Sequence, residues 1–516
     1  MNLIDFFDRS ATAFPQRPVY IFDDRPWTYR EASDLATRIG RGLLACGVQR
    51  ETKCAVLSRN DPLAFTALLG ILKARGTWVP LNPTNAADEN LYITDFFDVE
   101  VFFYQKEFEA FAELVKERIP AARQFVCLDR PGSLGPRLSD WAAQQANAPL
   151  SIPWDPDGMC MLRGTGGTTG RPKGVMNTNR NFETNIAVFL ACTRFDAPPV
   201  FLACAPMTHA AGVMAFVTIA ASGTVVIQRK FDPQEMLAAI PKYRVSSVLI
   251  PPTAIYGALS EPNVRDFDYS SLRHFFYGGA PTSSAKLREA IEVFGPVMTH
   301  SYGQTEVPTC VTFMLPSEHL DGCGKLDEKR LLSCGRPSPF ARVALMDDAG
   351  DFVPPGAIGE IVVQGGLVMR GYYKNPEATA EASLHGWHHT GDLAYQDAEG
   401  YLYICDRKKE MIISGGFNVY PLEVEQAVLS HAAVQDCAVV GVPDEKWGEA
   451  IKAVVELKQG HSVSAAELIS FCKERLGSVK APKSVDFVAA LPKSPVGKVM
   501  RREVRKRYWT GYDRRI

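Results

Sequence analysis

The chain has 516 residues, of which 46% are hydrophobic and 22% are charged, and its formal net charge is -2. This composition is typical of a globular protein with a large core and argues against a disordered chain. The near-neutral charge argues against a nucleic-acid binder, which normally carries a basic excess or a basic face. The 12 cysteines are scattered without a CxxC pair, so we expect no disulfide framework, no zinc site and a cytoplasmic location.

The first part of the chain alternates between helix and strand patterns. Its N-terminus lacks the basic and apolar regions of a secretory signal. A helix is predicted over 62–74. The most apolar stretch, 213–227, is shorter than the roughly 18 to 20 residues of a membrane span, so it predicts a buried helix and strand. Short apolar strands such as 248–250 and 361–363 alternate with helices, which predicts mixed α/β layers.

A smaller α+β unit is predicted after the charged run at 406–410 (DRKKE). Its predicted elements are a helix at 422–431, strands at 435–442 and 450–457, and a helix at 465–476. We therefore predict one domain of residues 1–408 and a second of residues 409–516. The charged run by itself is also compatible with a solvated turn. The basic tail after Pro492 is expected to be solvated, and its contact with phosphates or an anionic membrane is left open.

Residues 165–174 (TGGTTGRPKG) form a glycine- and threonine-rich loop that contains a lysine. Glycine lets backbone amides approach phosphate oxygens, threonine adds hydroxyl donors, and lysine adds a positive charge. The loop is not a Walker A motif, because Lys173 follows Pro172 and no Ser or Thr comes after it. The candidate phosphate-binding residues are Thr165, Gly166, Gly167, Thr168, Thr169, Gly170 and Lys173. Taken alone, such a loop is also compatible with a flexible surface segment.

Four further motifs follow in chain order: YGQTE at 302–306, HTGD at 389–392, DRKKE at 406–410 and PKSPVGK at 492–498. Together with the loop they resemble the motifs of the adenylate-forming superfamily, which includes acyl-CoA synthetases, nonribosomal adenylation domains and firefly-type luciferases. The resemblance covers nearly the whole chain and favours the acyl-CoA ligase branch. It implies an α/β fold, with a large N-terminal domain of layered sheets and helices and a small, mobile α+β C-terminal domain.

The resemblance implies a role for each motif in binding ATP and magnesium. Thr305 would contact the α-phosphate, and Glu306 would hold Mg²⁺, which prefers carboxylate and phosphate oxygens. Asp392 would accept hydrogen bonds from the ribose hydroxyls, and Arg407 would reach the same ribose. Lys498 would stabilise the charge that develops when the acid attacks the α-phosphate. Further candidate nucleotide contacts are Gly279, Ala280, Pro281, Tyr302, Gly303 and Gln304.

The resemblance also implies sites for CoA and for the acid. Lys409 corresponds to a hinge about which the small domain rotates between two half-reactions. Candidate contacts to the pantetheine arm of CoA are Ser414, Gly415, Gly416 and Trp447. His209 would lie near the acid carboxylate, although a lone histidine in an apolar stretch is also compatible with a core residue.

The candidate acid pocket consists of neutral, largely apolar residues, namely Val213, Met214, Tyr256, Tyr277, Gly278, Val307 and Pro308. Such a pocket favours a medium- or long-chain fatty acid, with an aryl acid next. Two positions depart from the family pattern. Gly166 stands where serine is usual, which removes one hydroxyl contact to phosphate, and Thr208 replaces the aromatic residue that commonly precedes the histidine.

We predict an ATP- and Mg²⁺-dependent acid:CoA ligase that forms acyl-AMP and pyrophosphate, then acyl-CoA and AMP. The expected partners are a small carboxylic acid, ATP and CoA, without nucleic acid and without a transmembrane segment. Peripheral membrane contact and a homodimer are left open.

Several alternatives remain open. Within the same class they are an aryl-acid:CoA ligase, a ligase that loads a carrier protein, and an amino-acid adenylation domain. The last is disfavoured because residues 204–213 contain no aspartate. From other classes, a luciferase-type oxygenase and a catalytically silent nucleotide- or acyl-CoA-binding protein are considered. The intact Glu306, Asp392 and Lys498 disfavour the silent protein.

Overall fold

The computed structural model describes residues 1–165, 172–280, 282–494 and 499–509. Its helices are α1 (Leu3–Ala13), α2 (Tyr29–Ala45), α3 (Pro62–Lys73), α4 (Ala87–Phe96), α5 (Glu109–Arg118), α6 (Leu138–Ala143), α7 (Asn179–Cys192), α8 (Ala210–Ala220), α9 (Pro233–Tyr243), α10 (Pro252–Leu259), α11 (Ser284–Phe294), α12 (Pro376–Glu381), α13 (Pro421–Leu429), α14 (Ala465–Lys480) and α15 (Arg501–Lys506). Within these described ranges, no helix combines the length and the apolar character needed to cross a bilayer.

The strands are β1 (Pro18–Phe22), β2 (Arg25–Thr28), β3 (Lys53–Leu57), β4 (Thr77–Leu81), β5 (Val99–Tyr104), β6 (Gln124–Cys127), β7 (Met159–Thr165), β8 (Lys173–Thr178), β9 (Val200–Ala203), β10 (Thr224–Ile227), β11 (Ser247–Leu249), β12 (His274–Tyr277), β13 (Met298–Tyr302), β14 (Thr312–Met314), β15 (Arg336–Pro337), β16 (Arg342–Met346), β17 (Gly359–Gln364), β18 (Gly371–Tyr372), β19 (His388–Gln396), β20 (Leu402–Arg407), β21 (Ile412–Ser414), β22 (Phe417–Val419), β23 (Val434–Asp444), β24 (Gly448–Leu457) and β25 (Ser484–Val488). They form four sheets in the described part of the chain.

A nine-stranded sheet lies in the main core, in the order β15-β14-β13-β12-β11-β9-β10-β1-β2. The strands from β13 to β1 in this order pair in parallel, and antiparallel strands close both edges. Helix α8 packs on this sheet and is apolar around its circumference apart from Thr218, whose hydroxyl donates to the carbonyl of Met214 at 2.8 Å. A helix that is apolar on all sides must be buried. The buried helix and strand predicted over 213–227 are confirmed as α8 and β10.

A seven-stranded sheet, in the order β18-β8-β7-β4-β3-β5-β6, carries the glycine-rich loop. The loop joins β7 to β8, which pair as an antiparallel hairpin. Gly174 stands one residue after the start of β8, where a Cβ atom would lie 2.7 Å from the Phe97 ring. A side chain at Gly174 would therefore push the hairpin away from the core.

A four-stranded antiparallel sheet, in the order β16-β17-β19-β20, carries the HTGD motif on β19. Strand β20 ends at Arg407, and the next strand, β21, belongs to a different sheet. The chain therefore passes from the four-stranded sheet to the next sheet between Arg407 and Ile412, that is, within the charged run and Met411. Lys408 and Lys409 are exposed, as expected for a solvated turn, whereas Asp406 is buried.

The C-terminal sheet has the order β22-β21-β24-β23, with β25 beside β24, and its core is separate from the main one. The two helices and two strands predicted for this unit are confirmed, with boundaries moved by a few residues. Ser464 and Glu467 form a capping box that starts α14. The predicted end of this helix at residue 476 meets Gly477, whose φ of 75° interrupts the helical backbone. The predicted mixed α/β fold, with a large N-terminal part of layered sheets and a smaller C-terminal part, is confirmed.

The prediction of a solvated basic tail is wrong for Arg501. Its side chain is 16% exposed, and its Nη1 donates to Asp406 Oδ1 and to Glu410 Oε2, both at 2.7 Å. Its Nε donates to Glu425 Oε1 at 2.7 Å. Burial is the main cause that raises the pKa of both Asp406 and Glu425, and the guanidinium acts against it. Arg501 is thus the counter-charge of a buried acidic cluster.

Replacing Arg501 with methionine is expected to lower the free energy of unfolding by about 3 to 5 kcal/mol, because it leaves buried carboxylates without their cation. Thermal and urea denaturation of the two proteins would measure this change. Arg502→Met is the matched control, since Arg502 is exposed on the same helix and should change stability by about 0.5 kcal/mol or less. Equal losses in the two variants would contradict the structural role of Arg501.

Candidate active site

Two predicted site segments follow neighbouring parallel strands. The segment 277–280 ends β12, and 302–306 ends β13, with Tyr277 opposite His300 in the register. A Cβ atom at Gly278 would lie 2.4 Å from the carbonyl oxygen of Ser301, so only glycine permits this close approach. Ligands of open α/β sheets bind at the carboxyl ends of parallel strands, and both segments lie there.

Glu306 presents a buried carboxylate in this region. It is 8% exposed, and its Oε1 accepts a hydrogen bond from Tyr372 Oη at 2.8 Å. Burial and the nearby carboxylate both raise the pKa of Tyr372, which keeps its hydroxyl a proton donor. Lys173 Nζ lies 4.7 Å from the centroid of the Tyr372 ring. Glu306 therefore has a fixed hydrogen-bond donor, and a cation lies over the ring of that donor.

The loop that contains Thr305 and Glu306 is held by asparagine side chains. Asn177 Nδ2 donates to the carbonyl of Thr305 at 3.1 Å, and Asn185 Nδ2 donates to that of Pro308 at 2.7 Å. The backbone N–H of Met369 donates to the carbonyl of Glu306 at 2.8 Å. Such side-chain to backbone bonds fix a loop that lies outside the sheet ladders. The sequence did not reveal these asparagines or Tyr372, since their partners are distant along the chain.

A second group joins the YGQTE and HTGD motifs. Tyr302 Oη donates to Asp392 Oδ2 at 2.6 Å, and Arg407 Nε lies 3.2 Å from Asp392 Oδ1. Gln304 Nε2 donates to the carbonyl of Thr390 at 3.1 Å. The Asp392 carboxylate is the leading cause that raises the pKa of the Arg407 guanidinium. The structure thus brings together four of the predicted site residues, Tyr302, Gln304, Asp392 and Arg407.

The backbone around Asp392 is fixed by Glu360. Gly391, with a φ of 76°, donates its N–H to Glu360 Oε1 at 2.9 Å. His389 Nδ1 lies 3.1 Å from Glu360 Oε2, and Lys408 Nζ lies 3.2 Å from the same oxygen. Glu360 therefore connects the HTGD turn to the charged run that carries the candidate hinge.

Some of the candidate acid-pocket residues lie in the main core, and others lie near the two strand ends. Val213 and Met214 lie on α8 and are buried in the main core, and Val307 is fully buried in the same core. Tyr256 Oη accepts from the backbone N–H of Ser283 at 2.8 Å, just after the 277–280 segment, and burial raises its pKa to about 12. Val307 and Pro308, also buried, directly follow Glu306. Tyr256 and this loop are thus fixed close to the two strand ends.

Tyr277 and His209 each have a polar neighbour. Tyr277 Oη lies 2.9 Å from His319 Nε2, and its ring lies against that of His300 at a centroid distance of 4.7 Å. His209 is partly buried directly before α8, and its Nδ1 lies 2.9 Å from Thr208 Oγ1. Thr208, the departure from the family pattern, therefore contacts the candidate histidine directly.

The candidate CoA contacts lie together in the C-terminal part. Gly415 donates its N–H to the carbonyl of Trp447 at 2.8 Å, and a Cβ atom there would lie 2.5 Å from the Trp447 ring. Gly415 and Gly416 have φ values of 59° and 81°, which favour glycine. The Ser414 side chain is buried, whereas Trp447 is 37% exposed. Trp447 therefore keeps part of its ring surface accessible to a ligand.

The candidate hinge, Lys409, is exposed, with Nζ 4.0 Å from Glu381 Oε1. Several predicted site residues, Gly166, Gly167, Thr168, Thr169, Gly170, Pro281 and Lys498, lie outside the described residues. The described ranges contain no group of three His, Cys, Asp or Glu side chains that would hold a metal by itself. A magnesium ion that binds one carboxylate and completes its shell with phosphates and water does not need such a group.

The motif-bearing strand ends, the glycine-rich hairpin and the Glu306 carboxylate are the features of a nucleotide-binding α/β enzyme. Residues 7–373 match the family model described as AMP-binding enzyme, and residues 423–498 match the AMP-binding enzyme C-terminal domain. The chain belongs to the AMP-binding enzyme family. The predicted superfamily membership is therefore confirmed.

Relatives with curated functions align over most of their length. A medium/long-chain-fatty-acid–CoA ligase of Mycobacterium tuberculosis is 36% identical, with 97% of this chain and 89% of the relative covered. A feruloyl-CoA synthase of an Amycolatopsis species is 37% identical, with 93% and 94% covered. The crystal structure of ATP-bound MatB from Rhodopseudomonas palustris is similar with a TM-score of 0.89 at 27% identity, with 99% of this chain and 100% of that chain covered.

Proposed function

We propose that the protein is an AMP-forming acid:CoA ligase that acts on a medium- or long-chain fatty acid. The observation that carries this proposal is the buried Glu306 carboxylate, which accepts from Tyr372 and follows the strand end that also supplies Tyr302 to Asp392. The names of the relatives support the class, since they are CoA ligases of a fatty acid and of an aryl acid. ATP, Mg²⁺ and CoA are the cofactors of such an enzyme.

In this proposal the described residues bind and orient ATP. Tyr302 and Arg407 hold Asp392, so that its remaining lone pairs face the ribose hydroxyls. Thr165 and Lys173 lie opposite each other at the base of the glycine-rich loop and contact the phosphates. Thr305 contacts the α-phosphate, where the acid carboxylate attacks. Lys498 donates to the oxygens that gain charge in that attack.

Glu306 is the residue that fits Mg²⁺. Its Oε1 is engaged by Tyr372, and among the described residues no hydrogen bond reaches Oε2. A carboxylate with one oxygen available suits a cation that keeps several waters and takes further ligands from phosphates. When bound, Mg²⁺ offsets the repulsion between the triphosphate and the incoming acid.

Acyl transfer to CoA uses the C-terminal part in this proposal. Gly415, Gly416 and Trp447 contact the pantetheine arm, and the thiol attacks the carbonyl of acyl-AMP to release AMP. Residues 1–408 and 409–516 are proposed as the two domains, and Lys409 as the hinge between the two half-reactions. The Lys409 side chain is exposed, so its own burial would not oppose a rotation of the backbone there.

Replacing Lys409 with proline is expected to spare one half-reaction and to slow the other by at least about tenfold, because proline fixes φ. Pyrophosphate release measures the first half-reaction, and transfer from supplied acyl-AMP to CoA measures the second. The control is Lys409→Ala, which removes the same side chain without fixing φ. This variant should retain both half-reactions. Normal rates for both steps in Lys409→Pro would contradict the hinge assignment.

The proposed activity is tested with purified protein, ATP, Mg²⁺, CoA and a panel of acids. We expect AMP formation to depend on the acid and to be fastest with medium- or long-chain fatty acids, because the candidate pocket is apolar. A preference for ferulate-like acids would identify an aryl-acid ligase, which the 37% identity to a feruloyl-CoA synthase also supports. Transfer to a holo-carrier protein in preference to CoA would favour a carrier-loading ligase. Absence of acid-dependent pyrophosphate release across the panel would contradict the proposal.

We also propose a cytoplasmic location. All 12 cysteines are free in the structure, including Cys310 and Cys437, which are buried in the cores. Free thiols are the usual state in a reducing compartment.

A further inference from the structure

Arg163 lies on the hairpin that carries the glycine-rich loop. In the register, Arg163 is opposite Val175 and Thr165 is opposite Lys173. Because side chains alternate along a strand, Arg163 and Thr165 point to the same face, together with the residues opposite them. Arg163 is therefore two residues from the loop, on the face of the hairpin that bears Lys173.

The hairpin face that bears Arg163 and Lys173 lies toward Glu306. Strand β18 pairs with β8 so that Tyr372 is opposite Val175, which sets Arg163, Val175 and Tyr372 in one row across three strands. Tyr372, at one end of the row, donates to Glu306. Arg163, at the other end, is close enough for the Glu306 charge to act on it. The row thus carries both the phenol that donates to Glu306 and a guanidinium on which the Glu306 charge acts.

The hydrogen bonding of Arg163 differs from that expected of a structural arginine. Its Nε is buried and has no hydrogen-bond partner in the part of the chain that the structure describes. Burial lowers its pKa to about 10, and the charge of Glu306 acts in the opposite direction. An arginine that served only to neutralise a carboxylate would be expected to bind it through two parallel hydrogen bonds. Here Tyr372 is the group that donates to Glu306.

A buried donor without a partner in the described part of the protein, such as Arg163 Nε, indicates that a ligand supplies the acceptor. Next to a magnesium-binding carboxylate and a lysine, the fitting acceptor is a phosphate group, whose oxygens match the planar guanidinium. The ribose end of the site is marked by Asp392 and Tyr302, and the hairpin lies on the side of Glu306. The phosphates nearest to the hairpin are those farthest from the ribose.

We infer that Arg163 binds the β- and γ-phosphates of ATP, the part that leaves as pyrophosphate, as a second cation beside Lys173. This inference rests on the proposed function for its nucleotide, and it adds a phosphate-binding residue that the loop motif does not contain. Arg163 holds a fixed charge because burial and the hairpin restrict its side chain. Lys173, whose Nζ lies over the Tyr372 ring, supplies the second positive charge.

The test compares binding of MgATP and of AMP to Arg163→Met and to the wild-type protein, by isothermal titration calorimetry without acid or CoA. We expect the Kd of MgATP to rise about 10- to 100-fold, the loss expected for a charge-assisted hydrogen bond. The Kd of AMP should change by less than about twofold, because AMP lacks the two phosphates.

Arg75→Met is the matched control. Arg75 is also partly buried with a buried Nε that has no hydrogen-bond partner among the described residues, but it pairs with Asp155 away from the hairpin. The Arg75→Met variant should leave the affinities for MgATP and for AMP unchanged. If Arg163→Met does not fold, Arg163→Gln, which keeps a polar but uncharged and shorter side chain, replaces it and should give the same selective loss.

An unchanged MgATP affinity, or equal losses for MgATP and AMP, would overturn the inference and leave Arg163 as a counter-charge for Glu306. The binding assay is independent of the proposed reaction. If the wild-type protein binds MgATP but forms no acyl-AMP with any acid, the proposed function fails while the result for Arg163 still stands.

Discussion

Replacing Glu306 with glutamine is expected to lower kcat/KM for MgATP in the first half-reaction by about 10²- to 10³-fold. Glutamine keeps an oxygen that accepts from Tyr372, so the loop should stay in place while the negative charge is lost. The Mg²⁺ concentration needed for half-maximal rate should rise as well. Pyrophosphate release at varied Mg²⁺ measures both effects.

The second half-reaction distinguishes this role from a general structural one. Transfer from supplied acyl-AMP to CoA involves no triphosphate and should change by only a few fold in the Glu306→Gln variant. Glu318→Gln is the control, because Glu318 is a largely buried carboxylate paired with Arg336 outside the site. An unaltered magnesium requirement in Glu306→Gln would contradict the assignment of the metal-binding carboxylate.

Replacing Lys498 with alanine is expected to slow formation of acyl-AMP by about 10²- to 10³-fold, because the ammonium stabilises charge that appears in the transition state. The measurement is the rate of enzyme-bound acyl-AMP formation in a single turnover. Transfer of supplied acyl-AMP to CoA should be nearly unaffected, because in the proposed rotation Lys498 leaves the α-phosphate before that step.

Lys473→Ala serves as the control for Lys498→Ala. Lys473 is an exposed lysine on α14 of the same C-terminal part, so its loss removes the same charge from a different place. It should leave acyl-AMP formation unchanged. If Lys498→Ala formed acyl-AMP at the wild-type rate, the assignment of the adenylation lysine would be wrong.

Features that depend on neighbouring residues were predictable from the sequence. Helix α3 begins at Pro62 after the capping Asp61, as the local pattern indicates, and α8 is apolar enough to require burial. The motifs also indicated Glu306 and Asp392, because each lies in a short characteristic run. Their structural partners were not predictable, since Tyr372 reaches Glu306 from 66 residues away along the chain.

The C-terminal basic tail shows why charge patterns alone can mislead. Arg501 and Arg502 are adjacent and identical in type, yet Arg501 is buried among carboxylates and Arg502 is exposed. The acids that surround Arg501 come from β20, the turn after it and α13. A one-dimensional charge count cannot distinguish the two arginines, because the difference arises when distant segments pack.

The sequence by itself determined the family, the mixed α/β class and the motifs at which ATP chemistry is proposed, because these depend on short runs and on hydrophobic periodicity. Only the tertiary structure decided which side chains surround those motifs. The pairing of β18 with β8 brings Tyr372 to Glu306, and the pairing of β7 with β8 sets Arg163 at the other end of the same row. Such pairings follow from the burial of whole sheets, a property of the assembled core that no local stretch of sequence contains.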